Sequence, residues 1–127
     1  MTETIRLAEI AHARSGDKGN HANVGVIAFT PEGYVFLGTY LTAERMAEYL
    51  RPLWTGAGAA AGATQVERFA LPGIRAYNFV LRDVLAGGAS RSLRTDSQGK
   101  VLSAAVLELR IPVTANLNAL RRPPSNP

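Results

Sequence analysis

Ala22-Asn23-Val24-Gly25-Val26-Ile27-Ala28-Phe29 is the stretch on which the fold turns. It is nearly all apolar, as expected of a strand in the middle of a sheet. Upstream, Ile5 to Ala11 alternates with period two and reads as a second strand, with Ile5, Leu7 and Ile10 toward the core. Between the two runs lie Arg14 to Asn23, Arg-Ser-Gly-Asp-Lys-Gly-Asn-His-Ala-Asn. A join between strands normally takes about two to five residues of plain turn. This one is longer, and it carries two cations, a carboxylate, carboxamides, a hydroxyl and an imidazole. A polar loop this dense on a rigid scaffold is where proteins place binding and catalytic groups.

Downstream, Thr30-Pro31-Glu32 starts a helix: a capping hydroxyl, proline at the first helical position, and a carboxylate by the positive end. A second start falls at Thr42, and Leu41, Met46, Tyr49, Leu50 and Leu53 give that helix one apolar stripe, limited by Pro52. Thr55 to Thr64 is a small-residue linker without the ending of a phosphate-cradling loop. Gln65 to Leu71 alternates as a third strand. Tyr77, Val80, Leu81, Val84 and Leu85 mark a helix that Gly87-Gly88 would end. A short helical turn at Ser97 to Ser103 and a strand over Ala105 to Val113 complete one domain, residues 1–113. Residues 114–127 read as a flexible tail. Val24, Val26, Ile27, Leu81, Val84 and Val106 are the expected core. The order of strands and helices does not fit a doubly wound parallel sheet. It suits an α+β domain with an antiparallel or mixed sheet and helices packed on one face.

The 127 residues suffice for one domain with a real core, and 46% hydrophobic residues exclude a largely disordered chain. No window reaches the length of a membrane span and no secretory signal pattern opens the chain, so a cytoplasmic protein off the membrane is the expectation. Without cysteine there is no disulfide, thiolate metal site or cysteine nucleophile. The net charge of +4 permits an anionic partner, and twelve of the fourteen cations are arginine. No helix concentrates that charge and no nucleic-acid recognition motif appears. A small acidic ligand or an acidic partner subunit suits scattered arginines better than nucleic acid does.

Ala11 to Ala28, with Ser15-Gly16-Asp17-Lys18-Gly19 inside it, resembles the opening of the C-terminal domain of AtuA-like proteins, named for acyclic terpene utilisation. The resemblance recurs at Leu41 to Arg45, at Leu71-Pro72 with Asn78 to Leu81, and from Gly87-Gly88 through Ser90 to Lys100. It implies a compact domain similar to the ferredoxin-like fold, a two-layer α+β sandwich, here as a separate small chain. It also implies a place in the catabolism of branched or terpenoid acids, with acyl-CoA thioesters as the substrate class and a larger AtuA-like subunit as partner. No cofactor is evident.

Asp17 and Lys18 are the candidate catalytic pair. Asp17 would act as a general base or hold Lys18, and Lys18 would bind a carboxylate or polarise a carbonyl. Gly16 and Gly19 allow a ligand to approach backbone N–H groups. The competing reading is a turn in which Asp17 caps its own backbone. Arg14, Ser15, Asn20 and Asn23 are candidate ligand contacts; the His21 imidazole could titrate near neutrality, but it is not counted among the site residues. His12, His21 and Asp17 lack metal-binding spacing, so no metal is expected. A second cluster, Arg91, Ser92 and Arg94, would clamp a phosphate or carboxylate, or else form surface ion pairs. Asn78, in an apolar stretch, either ties that element to a loop or lines the site. Two functions follow: a small subunit contributing Arg14 to Asn23 to a shared site, or a non-catalytic module that forms homo-oligomers through its sheet.

Overall fold

The computed structural model describes residues 4–18, 21–50, 66–82, 100–112 and 117–121. Strand β1 (Thr4–Arg6) leads through a 3₁₀ turn (Leu7–Glu9) into β2 (Ala11–Lys18) and β3 (His21–Ala28). Helices α1 (Pro31–Tyr40) and α2 (Ala43–Leu50) follow, then β4 (Val66–Leu71), a 3₁₀ turn (Pro72–Ile74) and β5 (Ala76–Leu81). Helix α3 (Lys100–Leu107), β6 (Arg110–Pro112) and α4 (Leu117–Leu120) complete the order. The main sheet runs β2-β3-β5-β4 and is antiparallel throughout. Read from β3 and returning to β2, its elements follow β-α-β-β-α-β, the ferredoxin-like arrangement. The closing edge strand, β2, comes before the others in the chain, and α3 packs against it.

The described helices lie on one face of this sheet. Val24, Val26, Phe79 and Leu81 project into that layer and are fully buried with Leu37, Leu41, Met46, Leu102 and Val106. The alternation of β3 is the cause: residues of even number face the helices and those of odd number face away. Ile27, expected in the core, is therefore on the opposite face and only half-buried.

Several expectations are corrected. The Tyr77 to Leu85 stretch is not a helix over its described part: Ala76–Leu81 is the central strand β5, with Tyr77, Phe79 and Leu81 buried at period two. Val84, Leu85 and the Gly87-Gly88 stop lie outside the described residues. Ile5 to Ala11 is not one strand, because a 3₁₀ turn brings Leu7 and Ile10 three residues apart onto one buried side. Its first residues do not join the main sheet, since β1 pairs with β6 in a separate two-stranded ladder; only Ala11, at the start of β2, belongs to the main sheet. Ala105 to Val113 is likewise split. Leu102 and Val106, four apart, face the core from α3, and the strand begins only at Arg110. The Thr55 to Thr64 linker lies outside the described residues, as do Pro52 and Leu53.

Both helix starts downstream of β3 hold. Thr30 Oγ1 accepts from the Gly33 N–H at 2.9 Å and Thr42 Oγ1 from the Arg45 N–H at 3.1 Å. Thr30 also donates to the Ala119 carbonyl at 2.6 Å, which fastens α4 to the start of α1. Leu120 is buried and Arg121 pairs with Glu9 at 2.8 Å. Residues 117–121 are thus part of the packed domain, against the expectation of a flexible tail; their apolar content is too small to show periodicity in sequence.

The helical layer is tied to the sheet by one aromatic clamp. Tyr77 stacks on Tyr34 with centroids 4.6 Å apart and donates its hydroxyl to the Tyr34 carbonyl at 3.0 Å. Burial, then a side-chain interaction with Tyr34, push the Tyr77 phenol above its ordinary 10.0, so it remains a donor at neutral pH. The Arg68 guanidinium lies over the same ring at 4.6 Å. It donates to the carbonyls of Gly38 and Leu41, at 3.0 and 2.9 Å, closing the C-terminal end of α1.

Candidate functional site

The face of the sheet turned away from the helices carries no covering element among the described residues. Its side chains form register rows across the four strands. One row is Arg14, Gly25, Asn78 and Phe69; on one side lie Gly16, Asn23, Val80 and Glu67, and on the other His12, Ile27, Ala76 and Leu71. Glycine at the centre leaves a shallow pocket of about 260 Å³, lined by Arg14, Ser15, Gly16, Asn23 and Gly25 toward β2 and by Ile27, Leu71, Ile74, Ala76 and Asn78 toward β4.

The polar end is built from β2, β3 and β5. Asn23 Nδ2 donates to Asn78 Oδ1 at 3.1 Å across the strands, leaving the Asn78 NH₂ group without a partner among the described residues. Gly16 makes room for this pair, since a β-carbon there would stand 3.3 Å from Asn23 Oδ1. Arg14 is exposed, and no described residue pairs with its guanidinium. Glu67, the acid on this face, is engaged by Arg82. The described cradle therefore favours negative charge.

The apolar end depends on the β4–β5 connection. Arg75 adopts a left-handed conformation at φ 55°, a geometry usually left to glycine or asparagine. Its carbonyl accepts from the Ala28 N–H at 2.9 Å, and its N–H donates to the Pro72 carbonyl at 3.2 Å. The Pro72–Ile74 turn is thereby anchored to the end of β3. Phe69, Leu71 and Ile74 remain exposed, by 46%, 42% and 61%. Three large apolar side chains on one sheet edge, beside Ile27, form a patch and not a scatter.

The structure brings Arg14, Ser15, Gly16, Asn23 and Asn78 together around this pocket. The stretch read as a polar loop is mostly a strand hairpin, for β2 runs to Lys18 and β3 begins at His21. Asp17 pairs with Ala22 and Lys18 with His21. Both positions lie at the turn end of the hairpin. Asn78 lies on a strand, not on a helix. Gly19 and Asn20 fall outside the described residues, as do Arg91, Ser92 and Arg94. His12 does not line the pocket; it stacks on Phe29 with centroids 5.8 Å apart.

Gly25, Ile27, Leu71, Ile74 and Ala76 were not among the expected site residues. One signal was present: Asn23, Gly25 and Ile27 share a parity within the apolar run, and only that parity carries a carboxamide and a glycine. Such a strand is two-faced, and the odd face is not core.

A family model described as the AtuA ferredoxin-like domain matches residues 5–112. The chain belongs to this family. The match takes in all four strands of the main sheet and every residue lining the open-face pocket, and it ends before α4. Neither the curated proteins nor the solved structures supply a match. No described helix of this AtuA ferredoxin-like domain is long and apolar enough to cross a membrane.

Proposed function

We propose that this AtuA ferredoxin-like domain is a ligand-binding accessory subunit whose open sheet face contributes to a site completed by a larger AtuA-like chain. The observation that carries this reading is the row Arg14–Gly25–Asn78: a guanidinium with no partner among the described residues and a carboxamide flank a gap at the centre of the face that no described element covers. The ligand is a small acid, and the metabolic setting is the breakdown of branched or terpenoid acids in the cytoplasm. A pocket near 260 Å³ is smaller than the roughly 300–1,000 Å³ that encloses a drug-sized ligand. If the substrate is an acyl-CoA thioester, only its acyl end fits here and the nucleotide lies on the partner. Lys18, beside the turn of the hairpin, would polarise the carbonyl in the assembled site, with Asp17 as its base or its support. The small chain alone is not catalytic in this account.

A second reading is favoured by Phe69, Leu71 and Ile74, whose exposure suits a homo-oligomer formed through the sheet. Thermal shift with short carboxylates separates the two, because a ligand held only by the folded state stabilises it, by about 2.7 kcal/mol at a hundred times Kd. Wild type should gain stability with carboxylate, the Arg14→Ala/Asn78→Ala double variant should not, and a larger AtuA-like subunit should co-purify. An equal gain in both proteins contradicts the ligand site. A stable homo-oligomer with no carboxylate response supports the second reading.

A further inference from the structure

The centre of the open face is occupied by the one residue type that has no side chain. Among the described residues, a β-carbon at Gly25 would meet only the Arg14 carbonyl, at 3.9 Å, an ordinary contact. Packing therefore does not require glycine at this position. Strand propensity disfavours it, and glycine inside a strand often marks the close approach of a ligand. Gly16 differs, since a β-carbon there would press on Asn23.

The surroundings of Gly25 have a direction. In its own row it is flanked by Arg14 on β2 and Asn78 on β5, and Asn23, bonded to Asn78, lies in the next row toward the β2–β3 turn. Toward the Pro72–Ile74 turn stand Ile27, Leu71 and Ile74. One guanidinium with neutral donors matches the single charge and paired oxygens of a carboxylate. A phosphate dianion would call for more cations than the described face supplies. The apolar wall extends from β3 to β4, two strand spacings, or roughly 9–10 Å. That is wider than an unbranched methylene chain.

We propose that Gly25 is the specificity-determining position of this face. The space above it admits the first carbons of a short branched carboxylic acid, whose carboxylate lies between Arg14 and Asn78 and whose branch rests on Ile27, Leu71 and Ile74. The inference rests on the open face being the ligand site, and the test keeps the two apart.

NMR titrations with 3-methylbutanoate and with butanoate, on wild type, Gly25→Ala, Gly25→Val and Arg14→Ala, read the affinities; thermal melts of the same proteins report folding. Wild type should bind the branched acid more tightly than the linear one. Gly25→Val should weaken it by about tenfold or more, the scale of a methyl-sized misfit, with an unchanged or higher melting temperature. Gly25→Ala should fall between. If Arg14→Ala loses binding while both Gly25 variants bind like wild type, the site stands and the role of Gly25 is overturned. If no carboxylate binds wild type, or Arg14→Ala binds like wild type, the open-face reading itself fails.

Discussion

Gly38→Ala is expected to destabilise the fold by about 1–3 kcal/mol, the usual scale of overpacking, and Tyr77→Phe to cancel that loss. In an ordinary helix the substitution would help, because glycine costs about 1 kcal/mol relative to alanine. Here a β-carbon on Gly38 would collide with the Tyr77 hydroxyl and stand 3.3 Å from its Cζ. Tyr77 has nowhere to go. It is held by Tyr34 and Arg68, which contact its ring, by its hydrogen bond to the Tyr34 carbonyl, and by its place in the central strand. Removing the hydroxyl costs about 0.5–1.5 kcal/mol by itself, through the lost hydrogen bond. It also vacates the space, so Gly38→Ala in that background should be neutral or stabilising. Urea denaturation of the four proteins gives the coupling directly. Strict additivity would show that the helix–sheet contact is looser than described.

The largest effect is expected from one substitution moved by a single residue. Val26→Asn should cost about 3–5 kcal/mol, from lost apolar burial and an unsatisfied buried amide. Ile27→Asn should cost about 1 kcal/mol or less, as expected away from the packed core. Val26 is fully buried against the helices, whereas Ile27 borders the open pocket. Asparagine has the same poor strand propensity at both sites, so the contrast isolates the facing of β3. Chemical denaturation reads both values. Equal costs would mean that the odd-numbered face is covered as well.

That contrast also marks the limit of what the chain discloses. Val24 and Val26 were legible as core, and Thr30 and Thr42 as helix caps, because each depends on a local pattern. Ile27 was not, since an all-apolar run hides which parity faces inward until neighbouring strands are placed. The β5 segment misled for a related reason: Tyr77, Val80, Leu81, Val84 and Leu85 match helical spacing, while Tyr77, Phe79 and Leu81 match strand spacing equally well. Pairing with β3 and β4 decides between them, and that is a long-range property. Arg14, Ser15, Gly16, Asn23 and Asn78 were singled out by residue type, and the fold gathers them. Their apolar counterpart at Leu71 and Ile74 arises from a turn anchored by the backbone of Arg75, for which sequence offers no plain sign.

The central claim is that the open face around Gly25 holds the ligand. The most direct measurement is the map of backbone amide shifts in wild type on addition of 3-methylbutanoate. The account predicts perturbations concentrated at Gly16, Asn23, Gly25, Ala76 and Asn78, with α1 and α2 unaffected. Perturbations confined to the helical layer or to the β1–β6 ladder, with the open face silent, would contradict it.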